Sequence, residues 1–159
     1  MNASAPAGFG PRLHRVAVDF VIPGHGPRID EAVVLAEDLV ASGFMGDATV
    51  EVAALRRDAT RSDAEPLVLD MLAECGVDLP IPEDEDAEYR LLLTAFGFWD
   101  LPIVDFYSPF LHHLPSWDEQ DALEHTLIHL FDDLDHATDP AQKHEIVQRM
   151  RAAVRDALA

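Results

Sequence analysis

The sequence has little positive charge and only one cysteine. It contains 11 Lys and Arg against 30 Asp and Glu, a formal net charge of −19, and Lys143 is its only lysine. A surface this acidic repels phosphate backbones and anionic membranes, which argues against direct binding to nucleic acid or to membranes. A single cysteine, Cys75, excludes an internal disulfide, so we expect a buried, unreactive thiol in a protein of the reducing cytoplasm.

Long hydrophobic runs and the common catalytic motifs are also missing. No segment approaches the roughly 18 apolar residues that a membrane span needs. The chain lacks GxSxG, GxxxxGK[ST], GxGxxG and HExxH. We therefore predict no catalytic residues, and the expectation leans away from an enzyme.

The hydrophobic content favours a folded chain of mainly α class. With 48% hydrophobic residues in a length of 159, the chain suits one domain. We predict a disordered N-terminal tail over residues 1–12 and a single compact helical domain over residues 13–159, with five or six helices. The predicted helices lie near residues 30–42, 48–55, 62–75, 116–137 and 140–158, and a further one begins within residues 83–88 and holds Tyr89 to Phe96.

For two segments the sequence does not decide between a strand and a helix. Val16, Val18, Phe20 and Ile22 alternate with other residues, which predicts a strand within 13–22. The segment 48–55 favours a helix narrowly, but as a strand it would form one short N-terminal strand pair with 13–22.

Two capping boxes mark predicted helix starts. Ser116 with Glu119 opens the helix over 116–137, whose leucines form an apolar stripe, and Ser62 with Glu65 opens the helix over 62–75. The aromatic residues between Phe96 and Phe110 are interpreted as a core-filling connection between helices. A ligand pocket in that region is the alternative.

The acidic residues supply the first functional hypothesis. The densest run, over residues 83–88, overlaps a predicted helix start, where negative charge also suits the helix dipole. The alternative is a docking site for a basic protein, as in immunity proteins, antitoxins and nucleic-acid mimics. The predicted partner-binding residues are Glu83, Asp84, Glu85, Asp86, Glu88, Asp118, Glu119, Asp132, Asp133 and Asp135.

A histidine-rich helix face supplies the second hypothesis. In this hypothesis the chain is a helical metal-binding protein, or a hydrolase, that binds a divalent metal such as Zn. Its candidate ligands are His125, His129, Asp132 and His136. Histidines four residues apart share one side of a helix and can ligate zinc. This face points away from the apolar stripe, so a solvated polar face is the favoured interpretation. A scaffold protein that is acidic only for solubility is a third functional class.

One short segment carries a family resemblance. Residues 21–27, Val-Ile-Pro-Gly-His-Gly-Pro, resemble the late metal-ligand motif of metallo-β-lactamase-fold hydrolases, which implies that His25 would bind a metal ion. The main HxHxDH signature of that family and its many strands are absent from the sequence. We therefore interpret the segment as a tight turn, which commonly uses Gly and Pro.

Overall fold

A computed structural model describes residues 5–21, 28–77 and 82–159. Within these ranges every regular element is a helix, as the α-class prediction requires, and the predicted strand pair is not formed. The α-helices are α1 (Gly10–Val21), α2 (Ile29–Ala41), α3 (Asp47–Ala53), α4 (Arg61–Glu74), α5 (Glu85–Phe98), α6 (Ile103–His113), α7 (Ala122–His136) and α8 (Pro140–Leu158), with a single 3₁₀ turn at Trp117–Glu119.

The described helices number eight, so the predicted five or six is wrong. The two additional helices are α1, where a strand was predicted, and α6, where a connection was predicted. By its contacts the chain divides into two compact units, unit 1 (Met1–Pro82) and unit 2 (Glu83–Ala159). The single domain over 13–159 stays a prediction, and each unit is described by itself.

The strand prediction for 13–22 is wrong over its described part, because residues 13–21 belong to α1. Leu13, Val16, Ala17 and Phe20 are buried at helical spacing, but Val18 and Val21 on other sides of the helix are buried as well. Burial of several sides makes the apolar pattern of a helix resemble the alternation of a strand. The helix also begins at Gly10, inside the segment predicted as a tail.

The prediction that 48–55 favours a helix is confirmed by α3, which packs against α2 and α4 in unit 1. Its first turn is capped by a residue from another helix. The carboxylate of Glu74, at the end of α4, accepts hydrogen bonds from the backbone N–H groups of Ala48 and Thr49 and from the Thr49 hydroxyl. Gly46 precedes this turn, and a Cβ there would overlap Glu74 Oε2.

The capping box predicted at Ser62 and Glu65 is wrong, because the N-cap of α4 lies two residues earlier. Thr60 is the N-cap and forms the box with Asp63, whose backbone bond from Thr60 holds the pKa of the Asp63 carboxyl below its ordinary value. Glu65 instead pairs with Arg61 at 3.3 Å. This segment contains Thr, Ser, Asp and Glu close together, so more than one pair has the spacing of a capping box.

Unit 2 is built around aromatic rings. Phe96, Phe106 and Phe110 are fully buried, and their rings stack with centroids 4.0 Å and 5.2 Å apart. Phe131 of α7 stacks on Phe106 at 6.1 Å. The core-filling interpretation of residues 96–110 is confirmed for Phe96, Phe106 and Phe110, whereas Phe98 and Tyr107 are exposed and the connection predicted there contains a helix.

The last helix, α8, packs against both α5 and α7. Its buried Arg151 donates to the carbonyl oxygen of Phe96 and lies 4.5 Å from the centroid of the Phe96 ring. Arg155 donates to Gly97 O at 3.2 Å, and a Cβ on Gly97 would lie 3.0 Å from Val154. The two arginines therefore satisfy carbonyl groups at the C-terminal end of α5, which the helix itself leaves unpaired.

The helix predicted over 116–137 is shorter than expected. Ser116 forms no side-chain cap, and only the 3₁₀ turn follows it. The α-helix begins at Ala122, with Asp121 and Glu124 forming the capping box, so the predicted Ser116 and Glu119 box is wrong. Among the residues that the structure describes, no helix is long and apolar enough to cross a membrane.

Candidate interaction surface

Negative charge is concentrated in unit 2. Residues 83–159 hold 17 Asp and Glu against five Lys and Arg, whereas residues 1–82 hold 13 against six. Between residues 83 and 139 the imbalance is 15 to one, and Arg90 is the only basic residue. The other four basic residues of unit 2 lie on α8, so α5, α6, the 3₁₀ turn and α7 form an acidic surface with almost no compensating charge.

The acidic run at the start of α5 is exposed and also stabilises its helix. Glu83 to Asp86 are exposed, and Asp84 caps the helix by accepting the backbone N–H of Ala87 at 2.8 Å. Glu85, Asp86 and Glu88 occupy the first turn, where the helix dipole favours negative charge. The helix-start interpretation is therefore confirmed by geometry, and the same carboxylates remain accessible to solvent.

Glu88 differs from the rest of the run because it is half-buried against α6. Its Oε1 lies 3.6 Å from Nε2 of His113, whose side chain is nearly buried. The His113 ring in turn lies 5.8 Å from the ring of Tyr89. The start of α5 and the end of α6 are thereby held together.

Tyr89 joins the same end of unit 2 to α7. Its hydroxyl donates to Oε2 of the buried Glu124 at 3.2 Å, while Oε1 of Glu124 accepts the Asp121 backbone N–H. The pKa of Tyr89 is raised well above its ordinary value, mainly by burial and secondly by the charge of Glu124. The phenol therefore stays protonated. Tyr89, His113 and Glu124 were not predicted, because nothing in their local sequence shows that three helices meet there.

The ten predicted partner-binding residues fall into two groups. Asp118 and Glu119 lie in the exposed 3₁₀ turn just before α7, and therefore at the end of unit 2 where α5 begins. Asp132, Asp133 and Asp135 are exposed too, but they lie in the last part of α7, about 15 Å or more along its axis from Ala122. A partner that contacts both groups must span the length of α7.

The predicted histidine face is directed toward solvent. The His125 ring packs edge-on against Trp117 at 4.6 Å, and His129 is exposed. His136 Nδ1 lies 2.8 Å from the backbone oxygen of Asp132, and this bond, with the Asp132 carboxylate, raises the His136 pKa above 6.5.

Metal binding by this face stays a prediction. In the ranges 5–21, 28–77 and 82–159, no three or more His, Cys, Asp or Glu side chains are grouped so that they could hold a metal ion. His25 of the PGHGP segment lies outside the described residues.

The thiol of Cys75 is buried, as predicted. Burial raises its pKa to about 11, the charge of Glu74 adds to the shift, and a hydrogen bond with Thr49 opposes it. A thiol with this pKa is poorly reactive near neutral pH. Cys75 is therefore a core residue of unit 1.

Described residues of unit 1 line at least two open grooves. One, of about 300 Å³, is lined by Arg12, Arg15 and Glu31, but Arg12 is bonded to Asp38 at 2.8 Å and Arg15 lies 3.8 Å from Glu31. The other, of about 400 Å³, is lined by carboxylates, among which Glu74 already caps α3.

The chain has been compared with protein-family models, with curated proteins and with solved structures, and none of the three comparisons finds a match.

Proposed function

We propose that this protein is an acidic helical interaction module that binds a basic protein partner, in the manner of immunity proteins, antitoxins and nucleic-acid mimics. The observation that carries the proposal is the stretch from residue 83 to residue 139, with 15 acidic residues and one basic residue. Nine of the ten predicted partner-binding residues within it are exposed, and Glu88 is half-buried.

The aromatic core of unit 2 supports this function because it fixes the position of the acidic helices. Phe96, Phe106 and Phe131 pack α5, α6 and α7 against one another, and the Tyr89–Glu124 hydrogen bond fixes the start of α7 against α5. Carboxylates on packed helices are held in position before binding, which lowers the entropy lost when a partner associates.

Electrostatic attraction predicts how such a partner would associate. A concentrated negative surface accelerates encounter with a basic protein, and the acceleration decreases as salt screens the charges. The main effect of neutralising exposed carboxylates should therefore be on the association rate rather than on the dissociation rate.

The test uses the full-length chain with an affinity tag on a native cell extract, followed by kinetics with each purified basic protein that it captures. Association rates are measured between about 50 and 300 mM salt, over which the Debye length falls by more than a factor of two. We expect a steep decrease across this range. An association rate that does not change with salt would contradict the proposal.

Two variants with equal charge changes locate the surface. Glu83→Gln, Glu85→Gln and Asp86→Asn together remove three negative charges from unit 2 and leave the N-cap Asp84 in place. Glu37→Gln, Glu51→Gln and Asp70→Asn together remove three exposed charges from unit 1. We expect the first variant to slow association several-fold more than the second, and equal effects would show that only net charge matters.

A further inference from the structure

The helix α6 is apolar over a wide arc, part of which is buried and part of which is exposed. Phe106 and Phe110 face the core of unit 2 and are fully buried. Next to this buried side, about 110° around the helix axis, Val104, Tyr107 and Leu111 are 79%, 44% and 43% exposed. Their spacing of three, four and seven residues places them within about 60° of one another around the helix, so they form one stripe. We call these three residues the outer stripe of α6.

The apolar arc of α6 extends about 160° around the helix from Phe106 to Val104, and about 60° of it is exposed. The exposed polar residues Ser108 and His112 lie opposite the buried rings, and the exposed apolar residues lie between the two. Contiguous apolar residues on a surface indicate a site for binding another molecule.

The outer stripe lies beside the acidic end of α7. The ring of Tyr107 packs edge-on against Phe131 with centroids 4.8 Å apart. Asp132 follows Phe131 directly, and Asp135 lies one turn further along the same side of α7; both are exposed. Exposed carboxylates of α7 therefore follow closely after the ring that contacts Tyr107.

We infer that the outer stripe of α6, together with Asp132 and Asp135, binds an amphipathic basic helix of the partner protein. This inference rests on the proposed function and specifies the kind of partner. The stripe extends about 10 Å from Val104 to Leu111, two helical turns, which matches apolar anchors at positions i, i+3 or i+4, and i+7 of a bound helix. Lysine or arginine on the flank of that helix would pair with the carboxylates of α7.

Charge complementarity selects this occupant. A partner helix without basic residues would bury Asp132 and Asp135 near its border without compensation, which is unfavourable. A second copy of this chain would bring acidic residues against acidic residues, since α5, α6 and α7 of unit 2 carry only Arg90 as a basic residue. A basic, unfolded segment would match the charges but would not use the apolar spacing.

The test measures the binding of three labelled peptides of about 18 residues to the full-length chain by fluorescence anisotropy. The first is a leucine–lysine peptide with leucine at helical spacing, the second has the same composition in scrambled order, and the third is oligolysine. We expect the first to bind at least tenfold more tightly than the other two. Val104→Ser with Leu111→Ser should weaken it about tenfold or more while leaving oligolysine binding unchanged.

Two further variants separate the apolar and charged contributions. Val34→Ser alters an exposed valine of α2 in unit 1, which is 50% exposed, and should not change binding. Asp132→Asn with Asp135→Asn should weaken the amphipathic peptide and oligolysine alike. Circular dichroism of each variant checks that helicity is retained.

Failure of this inference can be distinguished from failure of the proposed function. If all three peptides bind equally in a salt-dependent manner and the stripe variants have no selective effect, the inference is wrong and the proposed function stands. If no basic peptide binds, both are contradicted. If sedimentation shows self-association that Val104→Ser with Leu111→Ser abolishes, the stripe binds a second copy and the inference is overturned.

Discussion

Oε1 of Glu74 accepts a hydrogen bond of 2.8 Å from the backbone N–H of Ala48, so the last residue of α4 caps the first turn of α3. Oε2 of the same carboxylate accepts from Thr49 N at 3.1 Å and from the Thr49 hydroxyl at 3.0 Å. The shortest α-helix of unit 1 thus depends on a residue 26 positions away in the sequence.

We expect Glu74→Ala to destabilise the protein by about 2 kcal/mol, because it removes the acceptor of two backbone N–H groups. Glu74→Gln should cost less, since its amide oxygen can still accept one of them. The measurement is urea unfolding followed by circular dichroism. Glu37→Ala, at an exposed position of α2, is the control, and an equal loss in that variant would contradict the capping role.

Gly46 and Glu74 should be energetically coupled. A Cβ at Gly46 would overlap Glu74 Oε2, so Gly46→Ala must displace the capping carboxylate. We expect Gly46→Ala to be destabilising in the wild-type chain and at least about 1 kcal/mol less so in the Glu74→Ala background. Additive effects in this double-mutant cycle would show that the two residues act independently.

Arg151 should contribute more to stability than any exposed arginine of α8. Its guanidinium donates to Phe96 O, lies over the Phe96 ring, and is buried, which lowers its pKa. We expect Arg151→Met to cost about 2–3 kcal/mol, because the carbonyl of Phe96 would lose its donor and the ring its cation. Thermal unfolding of Arg149→Met, an exposed position on the same helix, provides the comparison, and equal melting temperatures for the two variants would contradict this role.

His136 should titrate above its ordinary pKa of 6.5, first because of its bond to the Asp132 backbone oxygen and second because of the Asp132 carboxylate. A raised pKa in the folded state means that protonated His136 stabilises the end of α7. This stabilisation is complete below about pH 6.5 and is lost as the pH rises through the folded-state pKa.

Proton NMR of the imidazole ring measures this titration directly. We expect Asp132→Asn to lower the pKa of His136 only in part, because the backbone oxygen of residue 132 remains. A pKa at or below 6.5 in the wild-type protein would contradict the prediction.

Cys75 should react slowly with thiol reagents in the folded protein. With its pKa raised to about 11, the thiolate fraction at pH 8 is about 100-fold below that of an ordinary cysteine. We expect the native rate with a disulfide reagent to be lower than the rate in urea by at least this factor. Similar rates in the two conditions would show that the thiol is accessible.

The sequence predicted most helices because their apolar spacing and end signals are local. Asp139 and Pro140 start α8 as expected, and α5 begins within the acidic run. It could not predict α1, since burial on several sides changes the apolar pattern that distinguishes helix from strand. It also could not place the start of α7, where tertiary contact decides: Glu124 both completes the capping box and accepts the Tyr89 hydroxyl.

The sequence predicted which acidic residues belong to the candidate surface, but not how the helices arrange the residues around them. Counting carboxylates identified residues 83–88 and 132–135, because charge is read directly from the sequence. The half-burial of Glu88 against His113 and the exposure of Val104 and Leu111 depend on how α6 packs, and α6 itself was missed. An apolar residue in a sequence is expected in the core. The exposure of an apolar stripe can therefore be recognised only when the position of its helix in the structure is known.

The crowding of carboxylates in unit 2 also opposes its own folding. With 17 acidic and five basic residues, residues 83–159 bring like charges closer together when the helices assemble than when the chain is extended. Screening by salt should therefore raise the melting temperature of unit 2, and a cationic partner should do so more strongly because it binds only the folded form. The surface that would recognise a partner is in this way a source of internal repulsion that the same partner would relieve.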